Sequence, residues 1–153
     1  MTLTLEPIPH EQPIAGVLAT VVPPLDAEAA AMLGDGLGQM RGVAAPPLWG
    51  NYLAWRDGVT VGCCGFKYSP DAPPEIGYIT FPRAEATGVA TAMVAALLAI
   101  ARDNGAGLVI AHTLPAINAS NRALVRNGFV LAGDAVDPDE GPVWRWDRPT
   151  AAA

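Results

Sequence analysis

The sequence predicts one mixed α/β domain whose sheet starts antiparallel, passes through a parallel strand pair joined by a crossover helix, and closes with a hairpin. Three observations carry this expectation. Runs rich in β-branched and aromatic residues, Asn51–Trp55, Val59–Tyr68 and Glu75–Phe81, follow one another with only turn-forming segments between them, as antiparallel neighbours do. The next segment sets Val89, Met93, Ala96, Leu97 and Ile100 at steps of three and four, on one face of a helix. GLVIAHT, Gly107–Thr113, is then almost unbroken apolar sequence, as in a strand covered on both faces. Strand, helix and strand within Glu75–Thr113 have the length that a parallel crossover requires.

In chain order, Thr2–Ile8 alternates with period two as an edge strand, closed by Pro7 and Pro9. A helical segment follows around Pro13–Thr20. Asp26 caps a second helix in DAEAAAMLGDGLGQM, favoured by its alanines and weakened in its second half by Gly34, Gly36 and Gly38. Asp57-Gly58 turns the first hairpin, the proline-rich loop SPDAPP leads to Glu75–Phe81, and Pro82 ends that strand. Gly105 stops the long helix. A short helix, Asn118–Arg126, ends at Asn127-Gly128, and FVLAGDAV with PVWRWD forms the closing hairpin around Asp137–Gly141. The domain is expected over residues 1–148, with a disordered tail from Pro149 to Ala153.

At 153 residues the chain buries roughly 70% of the surface its unfolded form exposes, enough for one core. No run of about 18 apolar residues is available to cross a bilayer. The opening MTLTLEPIPHEQ lacks the basic start and apolar block of a secretory signal, so the expected location is cytoplasmic and no membrane partner is expected. A net charge of -6 without a basic run gives phosphate backbones little to attract them, so nucleic acid is not an expected partner. Cys63 and Cys64 are adjacent and read as small buried thiols on opposite faces of a strand. With only His10 and His112 besides, no metal-ligand spacing can be assembled, and no metal is expected.

The functional reading starts at PRAEATGVATAM. A helix N-terminus after a strand presents unpaired N–H groups and the positive end of the dipole, which together bind phosphate. Gly88 and its small neighbours Ala86, Thr87, Ala90 and Thr91 let an anion reach the backbone, or they simply let the helix pack close to the sheet. HTLPAINASNRALVRNGFV places Asn118 and Ser120 at the start of a helix directly after the parallel strand, at the sheet edge where ligands of open α/β sheets collect. Asn118 there is also an ordinary helix cap.

These two stretches resemble the GNAT superfamily of acetyl-CoA-dependent N-acetyltransferases, nearer its Rim-type branch, which acts on protein N-termini. The family's phosphate loop, Pro-x-x-(Arg or Gln)-Gly-x-Gly-x-(Gly or Ala), lies over Pro82–Ala90, with Gly88 and Ala90 matching. The second, more specific motif is similar at Thr113, Pro115, Asn118, Ser120, Arg122, Gly128 and Phe129. The resemblance covers about Tyr52 to Arg148. It departs where Glu85 and Ala86 replace Arg or Gln and Gly, which sets a carboxylate beside the diphosphate position; Arg83 is expected to offset it.

The resemblance implies direct transfer of an acetyl group from acetyl-CoA to a primary amine, on a small molecule or a peptide N-terminus, in a ternary complex. The pantetheine arm would lie between Glu75–Phe81 and Gly107–Thr113. The cofactor contacts expected are the backbone of Ile79, Thr80 and Phe81, the loop residues Arg83, Ala86, Thr87, Gly88, Val89, Ala90 and Thr91, and Asn118. Glu75 is the candidate base, with a solvated strand-start carboxylate as the plain alternative; Tyr78 and His112 stand behind it. A backbone N–H within Ile79–Phe81 would serve the oxyanion. No Tyr follows Tyr78, so Ser120 is the candidate donor to the leaving thiolate, or only solvates the helix start. Trp49, Tyr52, Trp55, Trp144 and Trp146 either line an acceptor groove or pack. A homodimer is left open. The same residues admit a second reading, a non-catalytic acyl-CoA-binding or regulatory module, and a third, a generic nucleotide-binding domain, which lacks a Walker lysine and a Gly-x-Gly-x-x-Gly run.

Overall fold

Asp57 and Gly58 take φ of 53° and 77°, the paired positive values of a two-residue hairpin turn whose twist matches that of its strands. In the computed structural model, which describes residues 2–41, 45–116, 118–138 and 140–150, that turn joins β2 (Asn51–Arg56) to β3 (Val59–Lys67). β1 (Thr4–Ile8) adds on the outside of β2, and β4 (Glu75–Thr80) pairs with β3, all antiparallel. After α3 (Val89–Asp103), β5 (Leu108–Thr113) returns parallel to β4. α4 (Ala119–Arg126) leads to the hairpin of β6 (Val130–Asp137) and β7 (Gly141–Pro149), and β7 inserts beside β5. The seven strands run β1-β2-β3-β4-β5-β7-β6, the mixed sheet expected from the sequence.

Both faces of the sheet are covered. α1 (Ile14–Leu18) and α2 (Ala27–Arg41) bury Val17, Leu33, Leu37 and Met40 with Leu53, Cys63 and Phe81 on one face. α3 and α4 bury Val89, Met93, Leu97 and Leu124 with Cys64, Phe66, Val109 and Trp146 on the other. Cys63 and Cys64 are free, fully buried and divided between the two layers, as strand alternation dictates.

α2 begins where Asp26 Oδ1 accepts a hydrogen bond from Ala29 N at 2.8 Å. Its glycines do not interrupt it: the helix continues to Arg41 because Leu33, Leu37 and Met40 anchor it, and Gly36 lies where a Cβ would run into Ile79. Tertiary packing overrides propensity here. At the other end of the chain, the expected tail begins too early. β7 carries through Pro149, paired with Leu108, and Thr150 N donates to Gly107 O at 3.1 Å, so an ordered edge continues past Pro149; Ala151–Ala153 lie outside the described residues.

The aromatic residues resolve as packing. Trp49 stacks edge-on against Phe66 (5.0 Å between centroids), Trp144 against Trp146 (6.4 Å), and Trp146 Nε1 donates to Thr113 Oγ1 at 2.9 Å. Tyr52 is buried, and its hydroxyl donates to Leu48 O at 2.8 Å.

Candidate active site

β4 and β5 are in register over only two pairs, Glu75 with Ile110 and Ile76 with Ala111; beyond them the strands separate. Antiparallel pairing alternates the direction of backbone groups. Phe81 N donates to Val61 O at 2.9 Å, so along the β3–β4 register the N–H groups of Phe81 and Ile79 turn to β3. Those of Tyr78 and Thr80 turn the other way, into the gap. Of the three residues Ile79, Thr80 and Phe81, Thr80 therefore has the N–H aimed at a ligand between the strands. Phe81 is corrected as a contact, because its side chain is wholly buried and its N–H is used.

On one side of the gap lies a cavity of about 660 Å³, lined by Ile79, Thr80, Ala86, Gly88, Val89, Ala90, Thr91 and Ser120. Gly88 caps α3 with φ 84° and ψ 7°, and no side chain caps this end. The first helical bond recorded there is Ala92 N to Gly88 O at 3.1 Å, so the N–H groups of the first turn, Val89 to Thr91, are left without intrahelical partners. Ala86 also holds a positive φ of 60°, a conformation that a residue with a Cβ adopts only when its surroundings impose it. Arg122 and Arg126, one turn apart on α4, line the same cavity opposite Glu85. Unpaired N–H groups, a helix dipole and two guanidinium groups suit a diphosphate, so these residues fit the phosphates of a CoA-type ligand.

Two expected contacts lie elsewhere. Arg83 turns its guanidinium to the carbonyls of Pro23 (2.6 Å), Thr60 (2.8 Å) and Val22 (3.2 Å), tying the loop to the N-terminal half, and so does not offset Glu85. Thr87 donates to Ala84 O at 2.5 Å and accepts from Arg56 at 3.1 Å, facing away from the cavity. The positive charge expected from Arg83 comes instead from Arg122 and Arg126. Only their spacing of four on α4 signalled it.

On the other side, between α2 and the sheet, a cavity of about 510 Å³ is lined by Glu75, His112, Lys67, Asp137, Glu140, Gln39, Met40 and Asn118. His112 Nδ1 stands 3.2 Å from Glu75 Oε1, with both side chains about three-quarters buried. Asn118 caps α4, its Oδ1 accepting from Asn121 N at 3.1 Å, and borders this cavity and not the one at Gly88. The sequence reading missed Gln39, Met40, Lys67, Asp137 and Glu140, which come from distant elements. None of the five aromatic residues considered for an acceptor groove borders either cavity.

Tyr78, Ile79 and Ser120 line both cavities, which therefore meet at the mouth of the gap. The Tyr78 hydroxyl donates to Ser120 O at 2.9 Å, fastening β4 to α4 there. Burial pushes the Tyr78 phenol well above its usual range, and the hydrogen bond to Ser120 only partly opposes this. A phenol held protonated and committed to a carbonyl is no proton acceptor, which removes Tyr78 as a base.

Among the described residues, no group of three His, Cys, Asp or Glu is placed to hold a metal ion, and no helix is long and apolar enough to cross a membrane. The acetyltransferase (GNAT) domain family matches residues 20–130. A search of curated protein sequences finds no significant match. Among solved structures, RimL, a ribosomal L7/L12 alpha-N-protein acetyltransferase, is similar at 21% identity and TM-score 0.57 over 67% of this chain and 70% of its own. The ribosomal-protein-S18-alanine N-acetyltransferase of Escherichia coli superposes with TM-score 0.66 at 11% identity over 99% of this chain and 96% of its own. YncA of Salmonella typhimurium, solved with its cofactor acetyl-CoA, gives TM-score 0.63 at 15% identity over 99% and 95%.

Proposed function

Since the chain belongs to the GNAT acetyltransferase family, we propose that it moves an acetyl group from acetyl-CoA to a primary amine by direct attack within a ternary complex. The observation that carries this is the meeting of two cavities at Tyr78, Ile79 and Ser120, one with an anion cradle and one with a carboxylate–imidazole pair. An acyl donor and an amine entering from opposite sides would come together only there.

When bound, acetyl-CoA supplies an activated thioester. The chain's own residues supply the rest. The N–H groups of Val89–Thr91 with Arg122 and Arg126 hold the diphosphate. The Thr80 N–H, free of β3, donates to the acetyl oxygen as charge builds on it. The Glu75–His112 pair relieves the ammonium of its proton. A thiol pKa of about 8.5 makes the thiolate a fair leaving group unaided, so Ser120 at the mouth need only donate a hydrogen bond. The acceptor cavity holds Glu75, Asp137 and Glu140 against Lys67, and the chain is acidic, so a cationic amine is steered inward. Two buried free thiols are in keeping with a cytoplasmic location.

Thermal shift with acetyl-CoA, CoA, ATP and NAD, followed by thiol release from acetyl-CoA in the presence of an amine panel, tests this reading. Stabilisation by the CoA ligands and release of thiol by at least one amine are expected. Stabilisation without any release would leave a non-catalytic acyl-CoA-binding module, and indifference to CoA would defeat both.

A further inference from the structure

Glu75 and His112 lie on neighbouring strands at different depths of the same gap. Glu75 belongs to the first parallel pair, where β4 and β5 are still joined. His112 lies one residue beyond the last pair, Ile76 with Ala111, and is therefore level with Gly77 where the strands have begun to part. Gly77 contributes no side chain, and Met40 of α2 lies over it, its Sδ 2.9 Å from where a Cβ would sit. The backbone of His112 thus lies further along the gap toward Tyr78 and Ile79 than that of Glu75.

From this arrangement we infer that His112 is the catalytic proton acceptor and that Glu75 is its positioning residue. The inference rests on the acetyltransferase reading above and assigns the roles within its pair. A carboxylate accepts hydrogen bonds and cannot donate them, so Glu75 Oε1 at 3.2 Å from Nδ1 favours the neutral tautomer with its proton on Nδ1. Nε2 is left with its lone pair for the ammonium in the cavity. The division of labour is that of an imidazole base oriented by a carboxylate in other acyl-transfer sites.

The step balances as follows. Nε2 takes one proton from the ammonium, and the electron pair of that N–H bond stays on the amine nitrogen. This pair forms the new C–N bond to the acetyl carbon, and the pair of the breaking C–S bond leaves with sulfur. The nitrogen, now bonded to the acetyl carbon, gives its second proton to the departing thiolate, leaving a neutral amide and CoA thiol, and the imidazolium releases its proton to water.

The charged groups around the imidazole come from every neighbouring strand. Lys67 on β3 is the cross-strand partner of Glu75. Arg145 on β7 is the partner of His112, its guanidinium held by Asp147 at 2.9 Å. Asp137 and Glu140 belong to the closing hairpin, Tyr78 lies on β4, and α2 offers only Gly36, Gln39 and Met40, none of them charged. The two carboxylates of the hairpin suit a cationic acceptor, and Glu75 is the carboxylate 3.2 Å from the imidazole.

The test has two independent readouts. Thiol release from acetyl-CoA is followed against pH with spermidine and with a peptide bearing a free N-terminal alanine. His112→Gln is expected to lower kcat by about 100-fold, remove the acidic limb of the pH–rate profile, and leave the KM for acetyl-CoA unchanged. Glu75→Gln is expected to lower kcat by about tenfold and keep the limb. The reverse pattern, with the limb lost in Glu75→Gln and kept in His112→Gln, overturns the assignment.

The second readout does not depend on turnover: ¹⁵N NMR of the imidazoles, with His10→Gln to assign the two signals. The Nδ1–H tautomer at His112 in the wild type, lost in Glu75→Gln, is expected, and an Nε2–H tautomer in the wild type overturns the inference. A wild-type protein that releases no thiol with any amine defeats the acetyltransferase reading itself. The tautomer then decides the geometry of the pair alone.

Discussion

Glu85 lines the cavity at Gly88 from an exposed position. Replacing it by Gln removes one negative charge from the rim of a diphosphate site without changing side-chain length. At a separation of about 8 Å in a largely aqueous setting, each pair of unit charges contributes about 0.5 kcal/mol. A diphosphate with roughly two charges therefore gains about 1 kcal/mol, or a fivefold lower Kd for acetyl-CoA at low salt. The Debye length of about 8 Å at physiological ionic strength shortens to about 3 Å at 1 M, where the gain shrinks below twofold. Isothermal titration calorimetry of the wild type and Glu85→Gln at low and high salt measures both values. An unchanged Kd at low salt would mean that the diphosphate does not sit at Gly88, and the site reading would fail with it.

Other expectations follow from individual contacts. Gly88→Glu puts bulk and charge where the backbone holds φ 84°, and it should abolish acetyl-CoA binding by calorimetry while far-ultraviolet circular dichroism stays native; retained affinity would refute the placement. Tyr78→Phe removes the donor to Ser120 O, a net loss of about 1 kcal/mol, so Tm should fall by about 2 to 4 °C in differential scanning calorimetry. Gly65→Ala sets a Cβ 2.7 Å from Gly50 O and Asn51 Cα, backbone atoms that cannot step aside. It should cost about 1–3 kcal/mol in urea unfolding, whereas alanine at exposed Gly38, inside α2 and clear of neighbours, should gain up to about 1 kcal/mol. Burial raises the Cys63 thiol from 9.0 to about 12, with Arg41 only partly opposing, and raises Cys64 in the same direction. The folded state thus favours the protonated thiol: its contribution is complete below about pH 9 and is lost as pH rises toward 12. Urea midpoints should fall from pH 9 to 11, and Cys63→Ala should flatten the decline.

The order of elements was legible because each carries a local signature. The Asp57-Gly58 turn, the helical period of Val89, Met93 and Leu97, and the apolar run at Val109–Ala111 each encode their own geometry within a dozen residues. The same holds for the Gly88 cap and the Asn118 cap, whose conformations are fixed by the absence of a Cβ and by a short polar side chain. Arg83 was misplaced because nearness in sequence to a phosphate loop says nothing about rotation. Its backbone lies on a short 3₁₀ turn, and its side chain is claimed by three carbonyls that lie 23 to 61 residues away in the chain. The tail was cut too early at Pro149 because proline and alanine give no pattern, while the edge of β5 gives that segment a partner.

The sequence by itself determined the order of seven strands and four helices and the place where a helix opens onto a glycine, because hydrophobic period and backbone freedom are properties of neighbouring residues. The tertiary structure alone decided that Arg122 and Arg126 face that glycine, that Glu75 meets His112 across a parallel pair, and that two cavities join at Tyr78 and Ser120. Those relations depend on how far β4 and β5 stay in register before they part, a quantity set by the packing of α2 and α3 on opposite faces of the sheet.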